Sequence, residues 1–253
     1  MYFDTHAHYD DEDFDRDREE LIASLPENGV TLVLNPGCDL KSSQAAVSFA
    51  EKYDFFYAAV GWHPHEAMSF NDVSADYIRE SAKHDKVMAI GEIGLDYYHN
   101  HSTPEEQMRA FIAQMDLARE LSLPVIIHDR EAHADCLEVI SKYPDVCGIF
   151  HCYSGSAEMA RLLVDKGWYL SFTGAVTFKN ARKSLEAIAV IPNNRLLIET
   201  DAPYLSPVPH RGKRNDSTYL PYTAQVIAEI KGLSTEETAS MTMENGRRAF
   251  GIS

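Results

Sequence analysis

Apolar residues along the chain gather in eight short runs. They are MYFDTH (1–6), VTLVLNPG (30–37), FFYAAVGWHP (55–64), VMAIGEIGLD (87–96), PVIIHDR (124–130), VCGIFHCY (146–153), YLSFTGAV (169–176) and RLLIETDAPY (195–204). Their near-continuous apolar character, rich in β-branched and aromatic residues, predicts strands buried on both faces. Segments of helical spacing lie between them. The clearest is 104–121, where Thr103 can cap the helix, Pro104 takes the first helical position and Glu106 follows three residues after the cap. Residues 42–53, 134–143 and 157–167 repeat the pattern, and 235–251 predicts a last helix. Strands alternating with helices imply right-handed crossovers and a parallel sheet. Eight such units in 253 residues predict an α/β fold, a (β/α)8 TIM-like barrel forming one domain over 1–253. A doubly wound open sheet is the rival, but GxGxxG is absent and no switch point shows in the pattern.

The polar residues that interrupt these runs fall toward their carboxyl ends, where barrel enzymes work. The first run ends in His6 and carries on to His8, and the third leads to His63 and His65. The fourth carries Glu92, the fifth His128, the sixth His151 and the eighth Asp201. A single histidine ending an apolar strand is usually an ordinary buried residue. Four histidines and two carboxylates at the same end of five strands are not explained that way, because unpaired buried polar groups are costly.

His6 and His8, two apart in an extended segment, would project side by side with Cα atoms about 6–7 Å apart. Together the residues predict two divalent metal ions. His6, His8 and Asp201 supply one, His128 and His151 the other, and Glu92 bridges them. Mixed imidazole and carboxylate donors suit Zn, Mn, Fe, Co or Ni; Mg, which favours all-oxygen sites, completes the candidates. Asp201 is expected to act both as ligand and as proton acceptor for a metal-activated water, with Glu92 as its catalytic companion. His84, His99, His101 and His133 fall in helical or loop segments and read as surface residues.

The net charge of −16, from 23 basic and 39 acidic residues, argues against a broad nucleic-acid-binding surface. Any such substrate must be held by local contacts. The acidic stretch at 10–20 reads as a solvated face leading into a helix. No run of about 18 apolar residues predicts a membrane span. No secretory signal opens the chain, and four cysteines without a CxxC pair read as reduced, mostly buried thiols. A cytoplasmic protein with no membrane association and no obligate protein partner is expected.

The motifs DTHAH, GEIGLDY, PVIIHDRE, FHCYSG and ETDAPYL, in this order, resemble the TatD family of metal-dependent deoxyribonucleases. The likeness runs from residue 2 to the C-terminal NGRRAFG. It implies a TIM-like barrel, a divalent-metal centre and phosphodiester hydrolysis by a DNA exonuclease, and it carries metal roles to the same six residues. It also draws attention to GWHPH, HDR and HRGKRN. There His63, His65, Arg130, Arg211, Lys213 and Arg214 are candidate holders of substrate phosphate, joined by Tyr153 and Lys179. DNA is the expected substrate. The alternative on the same scaffold is ester or amide hydrolysis, as by a D-aminoacyl-tRNA deacylase. Two departures from the family pattern stand out: RNDSTYLP lacks an early proline, and Glu131 stands where Asp is common.

Overall fold

In the computed structural model, which describes residues 1–252, each of the eight apolar runs contains a strand. The strands are β1 (Tyr2–Asp4), β2 (Val30–Pro36), β3 (Phe56–Val60), β4 (Val87–Asp96), β5 (Val125–Arg130), β6 (Gly148–Phe150), β7 (Tyr169–Phe172) and β8 (Leu196–Ile198). The helices are α1 (Arg18–Ser24), α2 (Leu40–Lys52), α3 (Asp72–Ser81), α4 (Pro104–Leu121), α5 (His133–Ser141), α6 (Ala157–Asp165), α7 (Arg182–Val190), α8 (Leu220–Lys231) and α9 (Thr235–Phe250). A helix follows every strand, and the strand order is β1 through β8 with parallel pairing. This is the expected (β/α)8 barrel class. Among the described residues no helix is long and apolar enough to cross a membrane.

Two compact units divide the chain. One gathers residues 1–35 and 152 onward. In it β1 pairs with β2 through Phe3↔Leu32 and Asp4↔Val33, and β7 pairs with β8 through Leu170↔Leu196 and Phe172↔Ile198. Helix α9 fixes β1 from behind. Its N-terminus carries a reciprocal cap, with Ser234 accepting from the Glu237 N–H and Glu237 from the Ser234 N–H. Gly246 lies flush on Phe3, where a Cβ would come within 2.6 Å of the ring. Asn245 donates to the carbonyls of Asn193 (2.7 Å) and Leu196 (2.8 Å), tying α9 to the start of β8. Burial of Phe3 alone is worth about 1.5–3 kcal/mol. The C-terminal NGRRAFG thus seats β1 and β8, the strands that precede His6 and Asp201.

The other unit, residues 36–151, holds β3 to β6. Its longest strand, β4, is buried along almost its whole length, as a strand covered on both faces must be. The β4–β5 register opposes Ile93 to Ile127 and Gly94 to His128. Gly94 has φ 137°, and a Cβ there would stand 2.0 Å from the His128 carbonyl. Only glycine lets β4 approach β5 this closely. Helix α4 spans the segment read from sequence, and the reciprocal Thr103–Glu106 cap is formed. Of the four cysteines only Cys136 is fully buried, fewer than expected, and none forms a disulfide.

Candidate functional site

In the first unit, β1 ends at Asp4, so His6 and His8 stand just beyond the strand and not on its ladder. The segment stays extended because its backbone is gripped from both sides. Ala7 N–H donates to Leu34 O, His8 N–H donates to Ala202 O, and Ala7 forms an isolated parallel bridge with Ala202. The expected side-by-side projection results: the two Nε2 atoms are 3.0 Å apart. Asp201 Oδ1 lies 3.7 Å from Nε2 of His6 and 3.6 Å from Nε2 of His8. Asp201 sits three residues past β8 at φ 57°, a left-handed conformation few non-glycine residues adopt, and its N–H is tied to His6 O at 2.9 Å.

Asp4 locks these two segments together. It is wholly buried and accepts hydrogen bonds from the Thr200 N–H (2.9 Å), the Thr200 hydroxyl (2.5 Å), the Ser217 hydroxyl (2.6 Å) and the His6 N–H (3.4 Å). Burial pushes its carboxyl up to about 7, against those hydroxyl and N–H donors. Glu199, also fully buried, accepts from the Cys152 N–H at 2.6 Å.

In the second unit, Glu92 is 2% exposed, in the middle of β4. Its Oε1 lies 2.7 Å from His128 Nδ1, 2.8 Å from His151 Nε2 and 3.5 Å from His63 Nε2. The His128 and His151 nitrogens are 3.2 Å from each other. Burial drives the His63 imidazole well below its ordinary pKa, against the pull of Glu92 and with the neighbouring imidazoles adding to the effect. Asp96 closes β4. Its Oδ2 faces Nε2 of His128 at 3.3 Å, orienting the ring whose other nitrogen meets Glu92. Such a carboxylate–imidazole pair fixes the tautomer of a metal-ligating histidine. Although burial opposes it, hydrogen bonds from His128, His99 and His65 hold the Asp96 carboxyl far below the usual range.

Both groups fit a divalent ion by their donor spacing. Ligand atoms of a tetrahedral ion with bonds of about 2.0–2.1 Å stand roughly 3.3 Å apart. The first group presents two imidazole nitrogens and a carboxylate oxygen at 3.0–3.7 Å, and the second presents the same atom types at 2.7–3.5 Å.

The substrate-directed residues fare unevenly. Arg214 is committed to Asp17 by two hydrogen bonds of 2.6 and 2.7 Å and covers the Phe14 ring. Arg211 and Lys213 are exposed, with the Arg211 guanidinium 4.0 Å above Phe178. Lys179 is exposed, while Tyr153 is buried with its hydroxyl on Ser156 O. Arg130, exposed, lies over Tyr98. His63 joins the Glu92 group, and His65 turns to Asp96 at 2.8 Å. Sequence reasoning gave no role to Asp4, Asp96 or Glu199, although each is an acidic residue closing or following an apolar run. That same signal singled out Asp201.

The family model for TatD-related DNases matches residues 3–251. An uncharacterized metal-dependent hydrolase of Bacillus subtilis, YabD, is 46% identical, with all of both chains covered. A 3'-5' ssDNA/RNA exonuclease, TatD, of Cronobacter sakazakii is 39% identical, covering 98% of this chain and 97% of that protein. The crystal structure of YjjV, a TatD homologue of Escherichia coli, superposes with a TM-score of 0.93 at 28% identity, covering 100% of this chain and 98% of the other.

Proposed function

Since the chain belongs to the family of TatD-related DNases, metal-dependent hydrolases, we propose that it is an exonuclease that hydrolyses phosphodiester bonds at the ends of single-stranded DNA. The observation that carries this reading is the Glu92 group: one buried carboxylate oxygen within 2.8 Å of two imidazole nitrogens. His128 and His151 with Glu92 would hold one divalent ion, and His6 and His8 with Asp201 another. Ions bound there supply a water of lowered pKa and neutralise charge on the phosphoryl oxygens.

The chain's own residues do the rest. Asp201 is the carboxylate with solvent access, its side chain 16% exposed, and it accepts the proton of the attacking water. Asp96 keeps His128 in the tautomer that points Nδ1 at Glu92. His63, buried with its Nε2 3.5 Å from Glu92 Oε1, belongs to the Glu92 group as a ligand or hydrogen-bonding side chain.

For phosphate we take Arg211 and Lys213, both exposed and two residues apart in the loop after β8, whereas Asp17 occupies Arg214. Replacing both by Ala is expected to raise KM for single-stranded DNA severalfold. It should also lower the slope of log affinity against log salt by about 1.4, from roughly 0.7 per phosphate contact on single strands. A small neutral ester, if hydrolysed, should be untouched. Measuring both substrates at two ionic strengths separates the readings. Equal loss on both, or efficient turnover of aminoacyl-tRNA in place of DNA, would move the assignment to ester hydrolysis.

A further inference from the structure

A third gathering of ligand atoms lies in the second unit, on residues that neither metal group uses as ligands. Asp96, wholly buried, presents Oδ2 at 2.8 Å from Nε2 of His65 and 2.8 Å from Nδ1 of His99. The three atoms all lie within 4.8 Å of one another. Each is held in place. Asp96 Oδ1 accepts the N–H groups of Tyr98 and His99, both at 2.9 Å, which prevents the carboxylate from rotating. His65 is fixed through its backbone, its N–H on His63 Nδ1 and its carbonyl accepting the Ser102 hydroxyl at 2.9 Å. Its ring is further clamped by His101, stacked on it at 4.4 Å and 11°.

The group is also graded in exposure, with side chains at 0% for Asp96, 26% for His65 and 41% for His99. A buried anion therefore faces solvent through two imidazoles. Two neutral imidazoles and one carboxylate are the donor set of three-ligand Zn sites and suit Co and Ni as well. The 2.8 Å edges are close to the roughly 3.3 Å separation of ligands around such an ion. His128 Nε2 can keep its hydrogen bond to Oδ2, because a carboxylate oxygen has two lone pairs.

We infer that His65, Asp96 and His99 form an auxiliary site for a divalent transition-metal ion, its remaining coordination positions open to water. The alternative is a hydrogen-bonded cluster in which two imidazoles share an anion without ever exchanging their protons for a metal.

The test compares metal-stripped wild type with His99→Ala, a substitution at an exposed position that keeps the backbone N–H bond to Asp96. Each is titrated with Co(II), its visible absorption is followed, and the ions retained after gel filtration are counted. His99→Ala is expected to retain one equivalent fewer and to lack the matching share of the absorption. The same pair is then compared in a Glu92→Gln background. Persistence of the one-equivalent difference there ties the ion to His99 and not to the Glu92 group, whatever the fate of the exonuclease reading. Equal retention by wild type and His99→Ala overturns the inference. So does a difference that vanishes in the Glu92→Gln background.

Discussion

Asp201→Asn is expected to yield a protein that folds as the parent does and does not turn over. Its kcat on single-stranded DNA should fall a hundredfold or more, about 2.7 kcal/mol of added barrier. The substitution nearly preserves shape. Asparagine tolerates the left-handed backbone at φ 57°, so the Asp201 N–H bond to His6 O survives. What disappears is the negative charge beside the His6 and His8 nitrogens and the ability to take a proton from water. Thermal melting of the metal-free protein should match that of wild type. A variant that keeps more than a tenth of kcat would reduce Asp201 to a turn residue with an incidental carboxylate.

Glu92→Gln is expected to act through metal retention. Glu92 Oε1 is the atom on which His128 and His151 converge, and the site is too buried for water to replace the lost charge. Changing groups that merely orient metal ligands costs 10–100-fold in affinity or activity, so removing the charge of a ligand itself should exceed about a hundredfold. The drop should be partly recovered by excess metal, which distinguishes it from the Asp201 variant. In chelator the two proteins should melt within a few degrees of each other. Full activity of Glu92→Gln at limiting metal would show that the carboxylate only buttresses the imidazoles.

The strands were legible because a parallel strand buried on both faces announces itself without reference to its neighbours. Helix α4 was legible because Thr103, Pro104 and Glu106 encode its start locally. Helices α3 and α7 were not singled out. Nor was α8, and the number of buried side chains does not account for it: α6, which was read from sequence, buries only Ala160 and Leu163, whereas α8 buries five.

The six expected ligands were readable as polar residues at the ends of apolar runs. Their supports were not, because each acts through a partner remote in sequence. Asp4 meets Thr200 and Ser217, 196 and 213 residues away. Arg214 looked like a free cation beside Arg211 and Lys213 until the fold brought Asp17 to it from 197 residues away. His99 and His101 are exposed, as expected of surface residues, yet the fold places one on Asp96 and the other on the His65 ring.

The central claim is that the paired imidazole–carboxylate groups work by binding divalent ions to hydrolyse phosphodiesters. Release of nucleotides from an end-labelled single strand, by protein stripped of metal and then reloaded, tests it most directly. Stripped protein should retain less than about 1% of the rate, a barrier increase of roughly 2.7 kcal/mol, and Mn(II), Co(II) or Zn(II) should restore it to the wild type but not to Asp201→Asn. Undiminished cleavage by stripped protein, or restored cleavage by Asp201→Asn, would contradict the claim.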